Sequence, residues 1–181
     1  KENIKNLDIL EKLEGCAGIK IFMGSSTGSL LVSEDKDLEL ALKTCKRRVA
    51  IHSEDEIRLK NRFKTINKLN GVLEHENWRD PESAIISTKK VIKYAKKYNT
   101  KAHILHISTK QEIDILKDKG EFITVEVTPQ HLTLFSPDCY NKLGTKAQMN
   151  PPIRSIDHQN GLWNGIKNDI VDVIGSDHAP H

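Results

Sequence analysis

The residues with the clearest chemical potential stand at the carboxyl end of the chain. The apolar, β-branched run at 171–174 predicts a buried strand. Asp177, His178 and His181 follow it directly, so the strand would deliver a carboxylate and imidazoles to its carboxyl end. That is the layout of a metal site or an acid–base site in a parallel α/β protein. The alternative is a turn in which Asp177 only caps the next element.

Three further groups that can bind a cation occur within or at the end of other apolar segments. These are Lys20, His52 and His106. In a parallel sheet the carboxyl ends of all strands meet at one edge, so residues far apart in sequence can converge there. Neutral imidazole is the commonest metal ligand, and two histidines at equivalent strand ends favour a metal site. For each histidine alone, a core imidazole with satisfied hydrogen bonds is the alternative.

Lys20 is unusual because it lies between Ile19 and Ile21 in an apolar strand. Burying its ammonium group would cost much solvation energy and would favour the neutral amine. A neutral amine can react with carbon dioxide to form a carbamate, a bidentate anion able to bridge two cations. A lysine that reaches solvent from an edge strand is the alternative.

A proline-stiffened segment could contribute substrate contacts. Asn150 and Arg154 flank Pro151 and Pro152, which restrict the backbone between them. The amide of Asn150, with His181, would suit a substrate that bears carbonyl and carboxylate groups. A rigid turn without any ligand is the alternative. The chain has no Walker motif, which argues against a P-loop nucleotide-binding protein.

Two other histidines are set apart from these candidates. His103 lies in the same apolar segment as His106 but on a different register, which indicates a structural role. His131 follows a strand end and faces the same edge of the sheet, but the sequence assigns it no function.

The elements that must position these groups alternate between strand and helix. Such alternation predicts a parallel sheet with helices outside it, in a single domain spanning residues 1–181. Ser108 is the predicted cap of the helix after the third strand, and 128–155 is predicted to be a long irregular, functional loop. The predicted strands are 17–23, 48–52, 102–107, 122–127 and 171–174, and the predicted helices are 3–14, 35–47, 55–66, 81–98, 109–119 and 157–168.

Composition excludes several classes of protein. Of the 181 residues 37% are hydrophobic, and 28 basic against 25 acidic residues give a net charge of +3. The basic residues are scattered along helices, which indicates solvated faces and no nucleic-acid partner. The sequence contains no run of about 18 apolar residues, so it predicts no membrane span. Three cysteines far apart predict no disulfide framework and fit a reducing cytoplasm.

Six motifs in order along the chain resemble those of the dihydroorotase family, which belongs to the amidohydrolase superfamily of metal-dependent (β/α)8 barrels. Single motifs such as His-x-Ser are weak, but six in the family's order form a specific pattern. The Asn-Pro-Pro-Ile-Arg motif, together with Asp-His-Ala-Pro-His, resembles dihydroorotases more than their relatives the allantoinases and dihydropyrimidinases. The motifs lie at 19–28, 52–55, 106–109, 126–129, 149–154 and 176–181.

The resemblance implies a role for each matching residue. It implies that Lys20 is carboxylated and bridges two divalent cations, usually zinc, and that His52 and His106 bind the second cation. It further implies that Asp177 binds the first cation and shuttles a proton, and that the substrate contacts Asn150 and His181. The implied reaction is the reversible hydrolysis of the cyclic amide of dihydroorotate to N-carbamoyl-aspartate in pyrimidine (UMP) biosynthesis.

The chain departs from the family pattern at one point. It contains no His-x-His motif, which the family carries on its first strand as ligands of the first cation. We therefore expect the chain to hold strands four to eight of an incomplete barrel and to be inactive alone. Three alternatives remain at this stage: an allantoinase, a hydantoinase or dihydropyrimidinase, and a non-catalytic scaffold for aspartate transcarbamoylase. The family also implies a homodimer or an assembly with that enzyme as possible partners.

Overall fold

The computed structural model describes residues 2–24, 30–66 and 68–178. Strands and helices alternate along them. The strands are β1 (Ile19–Phe22), β2 (Val49–His52), β3 (Ala102–Ile104), β4 (Ile123–Val127) and β5 (Val173–Ile174). The α-helices are α1 (Leu7–Leu10), α2 (Asp35–Thr44), α3 (Glu56–Phe63), α4 (Glu74–Trp78), α5 (Pro81–Tyr98), α6 (Lys110–Leu116), α7 (Pro129–Thr133), α8 (Asp138–Leu143) and α9 (Ile156–Lys167). Glu2–Asn6, Lys68–Leu73 and Gly144–Ala147 form 3₁₀ helices.

The strands form one parallel sheet in the order β1-β2-β3-β4-β5. This confirms the predicted parallel α/β architecture. Lys20 pairs with Ala50, Ala50 with His103, and His103 with Thr124. Residues paired in this way point to the same face of the sheet. His103, for which the sequence indicated a structural role on a different register, thus lies in the same cross-strand row as Lys20.

The opposite face of the sheet is apolar and packs against helices. Its central row consists of Ile21, Ile51, Ile104 and Val125, all of them buried. Removing each of these side chains from water stabilises the fold by roughly 1.5–3 kcal/mol. The same hydrophobic cluster includes residues of the surrounding helices, among them Leu38, Leu42, Val91, Ala95, Ile113 and Leu162.

Helix α5 has the bounds that its sequence signals predict. The Asp80 side chain accepts a hydrogen bond from the backbone N–H of Ser83, and Pro81 occupies the first helical turn, where no N–H is needed. At the other end Asn99 adopts the left-handed conformation, with φ 51°. The start and stop of this helix are therefore encoded locally.

The helix after β3 is capped by Thr109, so the prediction that Ser108 caps it is wrong. The Thr109 hydroxyl accepts from the backbone N–H of Glu112, while the Glu112 carboxyl group accepts from the backbone N–H of Thr109 over 3.1 Å. This reciprocal arrangement is a capping box. It satisfies two backbone donors at the buried start of the helix, which a Ser108 cap would not do at this register.

The stretch 128–155 is largely helical, which contradicts the prediction of an irregular loop. It contains α7, α8 and the 3₁₀ helix Gly144–Ala147. Cys139, Tyr140 and Ile153 form a small apolar cluster of their own. Helices of one or two turns carry too few repeats to produce a recognisable periodicity, and packing against this cluster stabilises them.

Two predictions about the ends of the described chain also need correction. Strand β5 is exposed, with Val173 at 42% and Ile174 at 60% of full accessibility, because it is paired on its β4 side at the edge of the described sheet. The helix predicted over 3–14 is a 3₁₀ segment followed by the single turn α1. Among the described helices, none combines the length and the apolar character needed to cross a membrane.

Candidate metal centre

Two imidazoles meet at the carboxyl ends of β2 and β3. The Nδ1 atom of His52 lies 3.0 Å from the Nε2 atom of His106, and both side chains are buried. Two nitrogens bound to one tetrahedral zinc ion would be about 3.3 Å apart, given the usual zinc–nitrogen bond length. The pair therefore has nearly the separation that two ligands of one cation require.

The carboxylate of Glu54 fixes the proton of His52. Its Oε2 atom lies 2.8 Å from Nε2 of His52, and Glu54 is fully buried. Although burial alone would raise it, the hydrogen bond from His52 and the charge of Arg79 lower the pKa of Glu54 to about 2. An ionised carboxylate only accepts, so Nε2 of His52 carries a proton, and Nδ1 is the nitrogen that faces His106. Histidine ligands of metals are usually oriented by such a carboxylate.

His106 is held in the neutral form that a metal ligand requires. Burial, followed by the nearby His52 and Lys20, holds its pKa well below the usual range. Its Nδ1 atom is buried, and no hydrogen-bond partner for it occurs among the residues that the structure describes. His106 has a positive φ of 38°, which is uncommon for a residue with a side chain and typical of functional sites.

Lys20 and Asp177 lie in the same electrostatic environment as His52. Burial lowers the pKa of Lys20, and the charges of Asp177 and Glu126 oppose that shift. Burial raises the pKa of Asp177, and the charges of Lys20 and His52 oppose it. The Lys20 side chain nevertheless reaches solvent, as in the alternative of an edge-strand lysine, because β1 lies at the edge of the described sheet.

Electrostatic interactions connect these four residues, but they do not form a closed cage of ligands. Within residues 2–24, 30–66 and 68–178, no group of three His, Cys, Asp or Glu side chains is placed to hold a cation. The donors with a spacing that fits a cation are the two imidazoles of His52 and His106. A carboxylated Lys20 would add oxygen donors to this set.

Glu126 and His103 extend the polar surface beneath the site. The Nε2 atom of His103 lies 3.4 Å from Oε2 of Glu126, and its Nδ1 atom lies 2.8 Å from the Thr124 hydroxyl. A Cβ atom at Gly175 would collide with the Glu126 carboxyl group, so glycine permits the chain to pass close to it just before Asp177. The alternation of polar and β-branched residues in β4 was the available sequence signal for Glu126.

Asn150, a predicted substrate contact, is held by a hydrogen bond from Arg79. The Nε–H of Arg79 donates to Oδ1 of Asn150 over 2.7 Å. His131 holds the adjoining backbone, because its Nε2 atom lies 3.1 Å from the carbonyl oxygen of Pro151 and 3.2 Å from that of Pro152. His131, to which the sequence assigned no function, thus anchors this segment. The other predicted substrate contact, His181, lies outside the described residues.

Known proteins resemble this chain in sequence and in fold. No protein-family profile matches the chain. A dihydroorotase of Methanosarcina mazei is 34% identical over 194 aligned positions, which cover 99% of this chain and 41% of that protein. A dihydroorotase of Pyrococcus furiosus is 37% identical over 164 positions, which cover 90% of this chain and 34% of that protein. The chain thus spans at most 41% of the length of these curated relatives.

The fold resembles that of solved hydantoinases. The solved structure of an L-hydantoinase (dihydropyrimidinase) from Arthrobacter aurescens aligns with a TM-score of 0.86 at 22% identity. The alignment covers 97% of this chain and 41% of that one. At this identity the likeness concerns the fold alone. It confirms the predicted fold class, a parallel α/β sheet that forms part of a barrel.

Proposed function

We propose that this chain, which belongs to the dihydroorotase family, forms the part of a dihydroorotase that holds its second cation and its proton-transferring carboxylate. The observation that carries the proposal is the His52–His106 pair, 3.0 Å apart and supported by Glu54, next to Lys20 and Asp177. The reaction would be the reversible hydrolysis of the cyclic amide of dihydroorotate to N-carbamoyl-aspartate, a step of pyrimidine biosynthesis.

The proposed cofactors are two divalent cations. Zinc is proposed because histidine nitrogens are among its usual ligands. His52 and His106 would hold one of them, while Asp177 and a carboxylated Lys20 would contribute oxygen ligands. When bound, such cations supply an activated water and polarise the carbonyl group that is attacked. A lowered pKa of Lys20 supports the carbamate, because the neutral amine is the form that combines with carbon dioxide.

The residues of this chain would perform the proton transfer and bind the substrate. The carboxylate of Asp177 accepts the proton of the attacking water and delivers it to the departing amide nitrogen. Its raised pKa brings the carboxylate closer to the basicity that this task needs. The amide N–H groups of Asn150 would donate to substrate oxygens, because its Oδ1 is occupied by Arg79. His181 is a second proposed substrate contact.

Hydrolysis of a hydantoin or a dihydropyrimidine is the second candidate function. The fold of the Arthrobacter hydantoinase favours it, at 22% identity, whereas the dihydroorotases resemble the chain at 34–37% over most of its length. A location in the cytoplasm is part of the main proposal, supported by three cysteines without a disulfide. Assembly as a homodimer or with aspartate transcarbamoylase is expected from the family resemblance alone.

The test is the substitution Asp177→Asn in the intact protein, loaded with zinc. We expect turnover of dihydroorotate to fall by a factor of about 10² or more, the contribution of a positioned acid–base group, while most of the metal stays bound. The matched control is Asp172→Asn on the same segment, where the carboxylate accepts from the backbone N–H of Val125 and lies outside the site.

Three results would change the assignment. Near-native turnover by metal-loaded Asp177→Asn would contradict the role of Asp177. Faster hydrolysis of hydantoin or dihydrouracil than of dihydroorotate by the unaltered protein would favour the second candidate. Metal-loaded protein that hydrolyses none of these substrates would contradict both enzymatic functions.

A further inference from the structure

Arg79 makes polar contacts in two directions although it is almost completely buried. It lies between α4 and α5 with only 1% of its surface accessible. Its Nη1 atom donates to Oε2 of Glu54 over 3.1 Å, and its Nε atom donates to Oδ1 of Asn150 over 2.7 Å. The guanidinium also stacks on Trp78, 4.9 Å from the ring centre. These contacts fix both the position and the plane of the cation.

The contacts of Arg79 join the imidazole side of the site to its substrate side. The same oxygen of Glu54 that accepts from Arg79 also lies 2.8 Å from Nε2 of His52. A continuous chain of hydrogen bonds therefore runs from His52 through Glu54 and Arg79 to Asn150. It joins segments that are distant in sequence, since its neighbouring members Arg79 and Asn150 are 71 positions apart.

Arg79 determines which atoms the two outer residues present. The Glu54 carboxyl group, held by Arg79, binds Nε2 of His52, so that Nδ1 is the ring nitrogen that faces His106. The Nε–H of Arg79 obliges Asn150 to turn its oxygen inward, because a guanidinium can only donate. The amide nitrogen of Asn150 is then the atom available to a ligand as a donor.

We propose that Arg79 is a positioning residue that couples the two halves of the site, orienting His52 through Glu54 and orienting the amide of Asn150 directly. The inference rests on the proposed function, because it assigns His52 to a cation and Asn150 to the substrate. It adds Arg79 to the residues of the site, although Arg79 would contact neither the cation nor the substrate. Loss of Arg79 would therefore weaken metal binding and substrate binding together.

A purely structural role for this arginine would have a different consequence. A buried ion pair adds little net stability compared with apolar residues of similar volume, although removing one partner is costly. A structural Arg79 would thus affect unfolding and leave the properties of the remaining folded enzyme unchanged. The coupling predicts altered binding by protein that is still folded.

The experiment compares Arg79→Met, Arg79→Lys and Asn150→Ala in the intact protein. Metal binding is measured by titration with zinc and by the visible absorption of the cobalt-substituted protein. Substrate binding is measured as the separate effects on KM and kcat for dihydroorotate. The matched control is Arg58→Met, because Arg58 also pairs with a carboxylate, that of Asp80, through its Nε atom at 2.8 Å, but contacts neither His52 nor Asn150.

Each variant has a distinct expected result. Arg79→Met should weaken zinc binding by about 10- to 100-fold, the usual effect of losing support behind a ligand, and should change the cobalt spectrum. It should also raise KM by about 10-fold or more, as expected for losing the orientation of one hydrogen-bonding group. Arg79→Lys should restore zinc binding through Glu54 but leave KM raised. Asn150→Ala should raise KM without weakening zinc binding. When Arg79→Lys is combined with Asn150→Ala, KM should rise no further.

Other outcomes overturn the inference. If Arg79→Met folds, an unchanged zinc affinity and an unchanged cobalt spectrum would contradict the coupling. If that variant does not fold, a normal KM in Arg79→Lys would contradict it. If the unaltered protein binds zinc and responds to Arg79→Met but hydrolyses no dihydroorotate, the proposed function fails while the orientation of His52 stands. If the unaltered protein binds no zinc or cobalt, both are wrong.

Discussion

His131 should make the stability of this protein depend on pH between neutrality and about pH 4. The imidazole is buried, its Nε2–H faces the carbonyl oxygens of Pro151 and Pro152, and its Nδ1 lies 2.7 Å from the Thr128 hydroxyl. Burial, together with the charge of Arg154, lowers the pKa of His131 to about 4 from its ordinary 6.5. The folded protein therefore holds this ring in the neutral form.

The sign and size of the effect follow from these two values. Because the folded-state pKa is the lower one, the contribution to stability is fully present above pH 6.5 and is lost as the pH falls towards 4. Between pH 7.5 and pH 5 the unfolded chain binds nearly one proton at this position and the folded chain binds almost none. The resulting loss in the free energy of unfolding is about 2 kcal/mol.

The assay is urea unfolding of the intact protein at pH 7.5 and at pH 5, for the unaltered sequence and for His131→Gln. We expect the difference in unfolding free energy between the two pH values to be smaller by about 2 kcal/mol in His131→Gln, whatever its stability at pH 7.5. The control is Leu132→Ala on the same short helix, a buried apolar truncation that should cost about 2–5 kcal/mol equally at both pH values.

One result would refute this reasoning. If His131→Gln and the unaltered protein lose the same stability between pH 7.5 and pH 5, the imidazole is not held neutral by the fold. The hydrogen bonds to Pro151 and Pro152 would then not require a neutral ring with its proton on Nε2.

Two further predictions concern α9 and Lys20. Gly161→Ala should destabilise the protein by about 1–3 kcal/mol, although alanine usually favours a helix, because the new Cβ would lie 2.8 Å from Cα of Lys110 and closer still to its Cβ. Asn160→Ala, one position away on the exposed side, should be neutral or stabilising in the same thermal unfolding assay. For Lys20, native mass spectrometry of zinc-loaded protein in bicarbonate should detect one added carbon dioxide that Lys20→Arg lacks; its absence at full metal occupancy would contradict the carbamate.

The order of strands and helices was predictable because its signals are local. Apolar runs, the Asp80–Pro81 start of α5 and the left-handed Asn99 at its end depend on neighbours within a few residues. A parallel sheet then brings the carboxyl ends of its strands to one edge, so His52, His106 and Asp177 could be grouped without coordinates. The single-domain assignment and the metal ligands themselves remain predictions.

The sequence could not determine the contacts between segments that only packing brings together. Exposure of Lys20 and of β5 depends on their places at the edges of the described sheet, and the short helices between Pro129 and Ala147 depend on a cluster of their own. The roles of Glu54 and Arg79 arise from hydrogen bonds that span 25 and 71 positions. No local pattern encodes such pairs, because a buried charge is tolerated only where the tertiary structure supplies its partner. The sequence by itself thus determined which residues reach the edge of the sheet, and the tertiary structure decided which atoms they present there.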